Sequence, residues 1–347
     1  MRQITALVKP VSGSCGLDCK YCFYRELDPG GGVMDEKIVD AFLSFLPCGV
    51  RVNIAFQGGE PLLRGADFYR DLARRVKAAG IDAAYSIQTN GVMIDREYCR
   101  LFRDHDFLVG LSLDGTRACH DAARVDKNGA GTYDRVIAAA EMLGKYSVPF
   151  DILTVVGRHN VCYAREIYED YKKRKFRVVQ LIPCLPPLQG GEGGSCDVSD
   201  FFIEFFDLWY ADIKKGEAVF DVREFSELSD ALHGVRPGCR YGGACTPQLV
   251  VESNGDLYPC DFYVKPEYRT GSVFDTSIDE TLKSEGMRRF IRDSRENADM
   301  CRLCPYLPVC RGMCRRMRTL FRRSPVCPWA RLISHVTKQN PSYADCS

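Results

Sequence analysis

The sequence predicts an α/β protein, in which a partial (β/α)6 barrel is followed by a cysteine-rich domain with a β-hairpin and short helices. Two observations support this prediction. In the first half of the chain, apolar stretches typical of parallel strands buried on both faces alternate with stretches of helical periodicity. Between positions 239 and 327 the chain instead carries eight cysteines, together with an Asn-Gly pair between two apolar stretches, which is a strong hairpin signal.

The elements of the barrel follow from this alternation. Six strands rich in Val, Ile, Leu and Phe are predicted at 4–8, 52–56, 85–88, 107–113, 150–156 and 178–182. Five helices are predicted between them at 35–46, 66–79, 95–103, 133–146 and 164–173, with Asp35 and Asp95 as N-caps. Repeated β-α units form parallel sheets. Because six strands are too few for a closed eight-stranded barrel, an open, partial barrel fits best.

The second half of the chain has a different pattern. A connector rich in Pro and Gly is predicted at 186–200, followed by an aromatic-rich helix at 201–214 and a short helix near 224–232. A hairpin is predicted from 248–252 and 257–260, and a helix at 277–291. We therefore expect a barrel at 1–190, a helical connector at 191–235 and a cysteine-rich domain at 236–347.

The charge balance argues against some partners. Lys and Arg number 47 and Asp and Glu number 46, so no net charge favours nucleic acid or an anionic membrane as the main partner. No apolar stretch is long enough to span a bilayer. No signal-peptide hydrophobic region follows Met1, so we expect a cytoplasmic protein. A basic run is expected to form a solvated helix face and comprises Arg311, Arg315, Arg316, Arg318, Arg322 and Arg323.

The cysteines carry the strongest chemical signal. The chain has 18 of them, and clustered cytosolic cysteines usually bind metals. Cys15, Cys19 and Cys22 follow the first predicted strand at C-x3-C-x2-C spacing. Three thiolates leave one metal position open for a substrate or cofactor. From spacing alone, a zinc knuckle with a distant fourth ligand, or a disulfide loop, is an alternative, and the eight later cysteines could bind either two clusters or zinc.

Polar or glycine-bearing segments follow the predicted strands. They lie at 57–61, 88–91, 112–115 and 183–185. Each alone could be an ordinary turn. Because ligands gather at the carboxyl ends of parallel strands, the segments together predict a shared site beside the cysteine loop.

These residues resemble a known family. The loop of Cys15, Cys19 and Cys22, with Tyr21, resembles the cluster loop of radical S-adenosylmethionine (SAM) enzymes. The segment 57–61, Gln-Gly-Gly-Glu-Pro, resembles the part of that superfamily that holds the methionine amino group. The eight later cysteines resemble a SPASM domain, which carries two auxiliary [4Fe-4S] clusters. Within the superfamily, nearly the whole chain is similar to anaerobic sulfatase-maturating enzymes, most specifically at Pro-Cys-Asp-Phe-Tyr, 259–263.

The resemblance implies an activity and its cofactors. SAM and three [4Fe-4S] clusters would generate a 5′-deoxyadenosyl radical that abstracts a Cβ hydrogen from a cysteine, or a serine, of a target sulfatase. A second electron would leave through an auxiliary cluster, and Cα-formylglycine would form under anaerobic conditions. The implied partners are a sulfatase polypeptide with a C/S-x-P-x-R motif and an electron donor such as flavodoxin or ferredoxin. Neither nucleic acid nor a membrane is expected as a partner.

The resemblance also implies residue roles. Asp261 would accept the thiol or hydroxyl proton of the substrate. SAM would contact Tyr21, Gly59, Ser112, Arg124 and Leu185. The SAM cluster would be held by Cys15, Cys19 and Cys22, one auxiliary cluster by Cys239, Cys245, Cys260 and Cys314, and the other by Cys301, Cys304, Cys310 and Cys327. Pro186 departs from the family pattern, in which an acidic residue is expected, and leaves the substrate preference open.

Two other functions remain open at this point. A SPASM enzyme that forms thioether links or epimerises residues in a ribosomal peptide would share every cluster cysteine. Such an enzyme is expected to have an N-terminal recognition extension, whereas the first strand predicted here begins at residue 4. A zinc-ribbon interaction or nucleic-acid protein would bind zinc at the same spacings and would be colourless.

Overall fold

A computed structural model describes residues 3–27, 32–47, 49–188, 193–217, 219–236, 238–297, 299–321 and 326–339. The chain divides into two compact units, each built from three segments. The first comprises Met1–Ser112, Val125–Asp151 and Pro247–Phe290, and the second comprises Leu113–Arg124, Ile152–Thr246 and Ile291–Ser347. The units alternate along the chain, and the expected boundaries after residues 190 and 235 stay a prediction.

The described residues form ten strands and fourteen α-helices. The strands are β1 Gln3–Val8, β2 Arg51–Phe56, β3 Ala83–Thr89, β4 Leu108–Ser112, β5 Phe150–Val156, β6 Val178–Pro183, β7 Asp221–Val222, β8 Leu249–Val251, β9 Asp256–Tyr258 and β10 Gly271–Ser272. The helices are α1 Glu36–Phe45, α2 Ala66–Ala78, α3 Arg96–Asp104, α4 Arg117–Ala123, α5 Tyr133–Lys145, α6 Ala164–Arg174, α7 Ser199–Lys214, α8 Arg223–Leu232, α9 Ile278–Lys283, α10 Glu285–Asp293, α11 Asp299–Arg302, α12 Leu307–Cys310, α13 Arg318–Phe321 and α14 Pro328–Gln339.

The first unit contains a mainly parallel sheet in the order β10-β9-β8-β1-β2-β3-β4. β1 to β4 pair in parallel with their neighbours, in the register Val8 to Phe56 and Phe56 to Ile87. β8 adds in parallel to the other side of β1, and β9 returns antiparallel. The parallel α/β fold is therefore as predicted, whereas the place of the hairpin beside β1 was not predicted from the sequence.

The helix starts follow the local capping signals. A side-chain oxygen of Asp35 accepts a hydrogen bond from Ile38 N at 2.9 Å. A side-chain oxygen of Asp95 accepts two hydrogen bonds, each at 2.9 Å, from Glu97 N and Tyr98 N at the start of α3. Both predicted N-caps are confirmed, because a short carboxylate at this position satisfies donors that the first helical turn leaves unpaired.

The second unit packs aromatic helices against β5, β6 and β7, which are parallel. Phe205 of α7 is fully buried, and its ring centroid lies 5.4 Å from that of Tyr168 and 5.6 Å from that of Phe201. Trp329 of α14 packs against Phe202 with centroids 5.2 Å apart. The aromatic residues of α7 thus form the core of the second unit, and the predicted aromatic-rich helix at 201–214 is present as α7.

One predicted helix is divided. The helix expected at 277–291 is two helices, α9 and α10, because Ser284 has an extended backbone and caps the second one. Its hydroxyl oxygen accepts a hydrogen bond from Met287 N at 3.1 Å. Serine competes well with helical hydrogen bonding at such a position. No helix in the described part of the chain is long and apolar enough to cross a membrane.

The core role of α7 can be tested with two substitutions on this helix. Phe205→Ala removes a fully buried ring, and we expect it to lower the free energy of unfolding by about 3–5 kcal/mol. Ile213→Ala is the control, because Ile213 is 39% exposed, and it should cost less than about 1 kcal/mol. Anaerobic urea unfolding followed by circular dichroism measures both changes. Equal costs would contradict the assignment of Phe205 to the core.

Candidate functional site

The loop after β1 carries the first three cysteines. Cys15, Cys19 and Cys22 are half-buried, and the thiols of Cys15 and Cys22 interact electrostatically. The sulfur of Cys15 accepts hydrogen bonds from Leu17 N at 3.4 Å and from the side-chain amide of Asn90 at 3.7 Å. Burial raises the pKa of the Cys15 thiol. The loop therefore presents three thiols from a fixed backbone at the carboxyl end of β1.

The segment after β2 is fitted tightly against this loop. Gly59 N donates to Ser12 O at 2.7 Å, and Glu60 N donates to Ser14 O at 2.8 Å. A Cβ atom on Gly59 would lie only 2.0 Å from Ser14 O. Only glycine allows this approach, so Gly59 fixes the cysteine loop against the end of β2.

Glu60 joins the end of β2 to the end of β3. Its buried carboxylate accepts hydrogen bonds from Thr89 Oγ1 at 2.7 Å, Asn90 N at 2.8 Å and Leu62 N at 3.0 Å. Burial raises the pKa of Glu60 to about 7, although these three donors favour the ionised form. Since Asn90 also donates to Cys15, the ends of three neighbouring strands meet in one hydrogen-bond network within the first unit.

The predicted SAM contacts divide between the two units. Tyr21 and Gly59 are half-buried and Ser112 is buried, all in the first unit. Arg124 and Leu185 belong to the second unit, where Leu185 is half-buried just after β6.

Arg124 is held by a buried carboxylate. Its Nε lies 3.0 Å from Asp114 Oδ2, and Nε2 of His159 lies 3.2 Å from the same oxygen. Burial opposes ionisation of Asp114, but Arg124 and His159 outweigh it and hold the pKa of this carboxyl well below its usual range. The guanidinium expected to contact SAM is therefore already in an ion pair with Asp114.

Four of the later cysteines share one cavity in the second unit. Cys301, Cys304, Cys310 and Cys327 line a cavity of about 240 Å³, together with apolar residues that include Leu307. Burial raises the pKa of the Cys310 thiol to about 11. Four cysteine ligands in an apolar cavity are the donor set of a [4Fe-4S] cluster, so these residues fit that group.

A second group of thiols lies elsewhere in the same unit. Cys239 and Cys314 form a thiol–thiol hydrogen bond, and both interact electrostatically with Cys245. This bond, with backbone donors, holds the pKa of Cys314 below its ordinary value and raises that of Cys239. Cys260 follows β9 in the first unit, directly before Asp261. Cys314 thus groups with Cys239 and not with the four thiols of the cavity.

No three His, Cys, Asp or Glu side chains in the described ranges converge on a single metal ion. In a cubane cluster each thiolate binds a different iron, so its ligands need not converge on one point. The two thiol groups of the second unit and the loop of the first unit are the places where cysteines of the predicted ligand sets lie together in the described part of the chain.

Asp261 lies in a buried polar network that the sequence did not predict. Its carboxylate forms an ion pair with Lys9, which is only 1% exposed. The ammonium group of Lys9 lies 4.4 Å from the ring centroid of Tyr24. Tyr24 donates its hydroxyl to Glu252, whose other oxygen accepts from Ser12 Oγ at 2.7 Å. The one sequence signal for this network was Lys9, which directly follows a buried strand, because buried lysines are rare without a charged partner.

The expectation of a solvated basic face is wrong for two of its members. Arg316 is 1% exposed and Arg318 is 4% exposed. Their guanidinium groups donate mainly to backbone carbonyl oxygens, which charge counting along a sequence does not reveal. Arg322 and Arg323 lie outside the described residues.

Comparisons with known proteins agree on one family. The model of the radical SAM superfamily matches residues 10–171, and that of the SPASM iron–sulfur cluster-binding domain matches residues 239–305. A cysteine-type anaerobic sulfatase-maturating enzyme from Clostridium novyi is 36% identical over 333 residues, which cover 91% of this chain and 89% of the relative. A serine-type enzyme from Klebsiella aerogenes is 30% identical over 320 residues, covering 89% and 78%.

A solved structure extends this likeness to the fold. The structure described as native anSMEcpe with bound AdoMet and Kp18Cys peptide superposes with a TM-score of 0.91 and 31% identity. The match covers 100% of both chains. A structure of Streptococcus suis SuiB bound to its precursor peptide SuiA superposes with a TM-score of 0.63 at 18% identity, which reflects the fold alone.

The buried Glu60 predicts a pH dependence of stability. Its pKa in the folded protein is about 7, whereas the ordinary value is 4.5. Between these pH values the folded protein keeps a proton that the unfolded chain has released. The contribution of Glu60 to the free energy of unfolding is therefore complete below pH 4.5 and is lost as the pH rises to about 7, a change of about 3 kcal/mol.

Glu60→Gln removes this titration. We expect the difference in unfolding free energy between wild type and Glu60→Gln to fall from pH 4.5 to about 7 and then to level off. Anaerobic urea unfolding at several pH values measures the difference. Glu97→Gln is the control for the loss of a carboxylate as such, since Glu97 is a 57% exposed carboxylate on α3. A pH-independent difference for Glu60→Gln would refute the prediction.

Proposed function

The chain belongs to the anaerobic sulfatase-maturating enzymes, which are radical SAM enzymes with a SPASM domain, and we propose that it oxidises a cysteine of a sulfatase polypeptide to Cα-formylglycine. The observation that carries the proposal is the likeness to such enzymes along nearly the whole chain. Identity is higher to the cysteine-type than to the serine-type relatives, which favours cysteine over serine as the target.

Cys15, Cys19 and Cys22 are proposed to hold a [4Fe-4S] cluster that, with SAM, supplies the radical chemistry for removal of a Cβ hydrogen. The support from this chain is the donor set, three thiols with no fourth cysteine in the loop, and the close fit of Gly59 against Ser14. Tyr21, Gly59, Ser112, Arg124 and Leu185 are proposed to contact SAM.

The auxiliary clusters are proposed to take the later cysteines in two sets. Cys301, Cys304, Cys310 and Cys327 would hold one cluster, supported by the cavity that they line. Cys239, Cys245, Cys260 and Cys314 would hold the other, supported by the grouping of three of these thiols in the second unit. The electron donor is proposed to be a small redox protein such as flavodoxin or ferredoxin.

Asp261 is proposed to accept the thiol proton of the substrate. The reaction removes a Cβ hydrogen atom, the thiol proton and one further electron, and leaves a thioaldehyde. Water then replaces sulfur, with release of hydrogen sulfide, and gives the aldehyde. A carboxylate can act as this base if it reaches the substrate thiol, and the ion pair with Lys9 fixes its orientation. The side chain keeps 17% of its surface exposed, so it is not sealed off.

An anaerobic assay with reductant, SAM and peptides containing C-x-P-x-R or S-x-P-x-R tests the function. We expect the cysteine peptide to lose about 18 Da, and the serine peptide to lose about 2 Da if it is also accepted, as the balanced chemistry requires. Mass spectrometry and capture of the aldehyde by a hydrazide detect the product. No aldehyde, or a loss of about 2 Da from the cysteine peptide with an internal crosslink, would refute the proposal.

Asp261→Asn tests the role of the carboxylate. We expect the variant to keep its clusters and to cleave SAM, whereas formylglycine formation falls by about 10²- to 10⁴-fold because the amide cannot accept the proton. Asp279→Asn is the control, since Asp279 lies on α9 with its side chain 81% exposed. Iron content, 5′-deoxyadenosine and aldehyde are measured in parallel. Unchanged aldehyde formation in Asp261→Asn would remove Asp261 from the proposed mechanism.

A further inference from the structure

Arg318 is a buried cation whose hydrogen bonds all go to the backbone. Its Nε donates to Gly312 O at 2.7 Å. Nη1 donates to Ser294 O and Glu296 O, each at 2.7 Å, and Nη2 donates to Gly243 O at 2.8 Å and Met313 O at 3.0 Å. Its side chain thus makes five hydrogen bonds from inside the second unit, where a charge is costly unless it is compensated.

The accepting carbonyl groups belong to segments that carry predicted cluster ligands. Gly243 lies between Cys239 and Cys245. Gly312 and Met313 lie between Cys310 and Cys314. Arg318 therefore connects the segment between Cys239 and Cys245, which belong to one auxiliary set, to the segment between Cys310 and Cys314, which belong to different sets.

A third backbone segment, which contains Ser294 and Glu296, is linked to the same hydrogen-bond network. Ser294, whose carbonyl oxygen accepts from Arg318, also accepts a hydrogen bond from Cys245 N through its hydroxyl oxygen at 2.7 Å. Glu296 O, the other acceptor of Nη1, precedes Cys301 by five positions in the chain. Arg318 thus holds the backbone on the approach to the second set as well.

Cysteine side chains of both predicted sets lie within electrostatic reach of Arg318. Burial lowers the pKa of Arg318, and the ionisable groups that act on it include Cys245, Cys314 and Cys301, together with Arg315. Backbone dipoles solvate a cation but carry no net charge. As cluster ligands these cysteines would be thiolates, so both predicted sets would supply opposite charge to Arg318.

We propose that Arg318 is the shared counter-ion of the two auxiliary clusters, which raises the reduction potential of both and fixes the backbone segments that present their ligands. The proposal rests on the ligand sets given under the proposed function. Reduction adds negative charge to a cluster, and a nearby buried cation stabilises the reduced state. Each auxiliary cluster should therefore accept an electron more readily with Arg318 in place. Arg318 is a positioning residue, since no reacting atom is assigned to it.

Three variants separate charge from shape. Arg318→Met removes the charge and keeps a long side chain, whereas Arg318→Lys keeps the charge and loses the fork of donors. Arg302→Met removes a charge next to Cys301, but Arg302 is 71% exposed and screened by water, so it is the control. The full chain is reconstituted anaerobically. Iron content and redox titration followed by electron paramagnetic resonance are then measured for each protein.

We expect wild type to bind about twelve irons, in three four-iron clusters. In Arg318→Met, the equilibrium constant for reduction of each auxiliary cluster should fall about tenfold, which corresponds to about 59 mV for one electron. The cluster at Cys15, Cys19 and Cys22 is the internal reference, and its potential should not change. Arg318→Lys and Arg302→Met should stay near the wild-type potentials.

Three results would overturn the proposal. The first is Arg318→Met with all clusters present and unchanged potentials. The second is loss of the auxiliary clusters in both Arg318→Met and Arg318→Lys, which would show a packing role instead. If only Arg318→Met loses them, and Arg318→Lys binds them at wild-type potentials, the counter-ion role is supported. The third is wild-type protein with only about four irons, which would refute the two auxiliary ligand sets on which this inference rests, whereas the aldehyde assay tests the proposed function separately.

Discussion

The parallel pairing of β8 with β1 is the contact on which the polar centre of the first unit depends. Lys9 N donates to Val251 O at 2.9 Å, directly beyond the ladder that joins the two strands. The pairing brings Glu252 and Asp261 to the end of β1, although more than two hundred residues separate them from it in sequence. Without it, Lys9 would be a buried cation without its carboxylate, a state that costs several kcal/mol.

The structure compensates buried cations in two different ways. Lys9 and Arg124 each pair with one carboxylate, which fixes the direction in which that carboxylate points. Arg318 instead donates to five backbone carbonyl groups and leaves its net charge available to neighbouring thiols. These two arrangements differ in the groups that the cation can influence. An ion pair orients a side chain, whereas a cation solvated only by dipoles influences any anion that binds nearby.

The sequence predicts what local physics determines. Alternating apolar stretches predict the parallel strands, and short carboxylates at helix starts predict the caps at Asp35 and Asp95. The partnership of β8 with β1 escapes prediction because its energy comes from contacts far apart in the chain. Burial of Arg318 escapes prediction for a related reason, since a run of arginines suggests solvent exposure and the groups that accept its hydrogen bonds are backbone carbonyls, which have no residue signature. The grouping of thiols comes from the family resemblance rather than from spacing.

The proposed oxidation removes a hydrogen atom, a proton and an electron from the substrate. Each of the three needs an acceptor of different chemistry. The first unit offers the three-cysteine loop, fitted against Gly59, and a carboxylate held by Lys9. The second unit offers seven of the eight later thiols, and three of them act electrostatically on Arg318. In the proposed reaction, hydrogen abstraction leaves a radical on the substrate, which becomes the thioaldehyde only when a proton and one electron have left it. Under the proposed counter-ion role, the charge of Arg318 governs how readily an auxiliary cluster accepts that electron, although Arg318 forms and breaks no bond of the substrate.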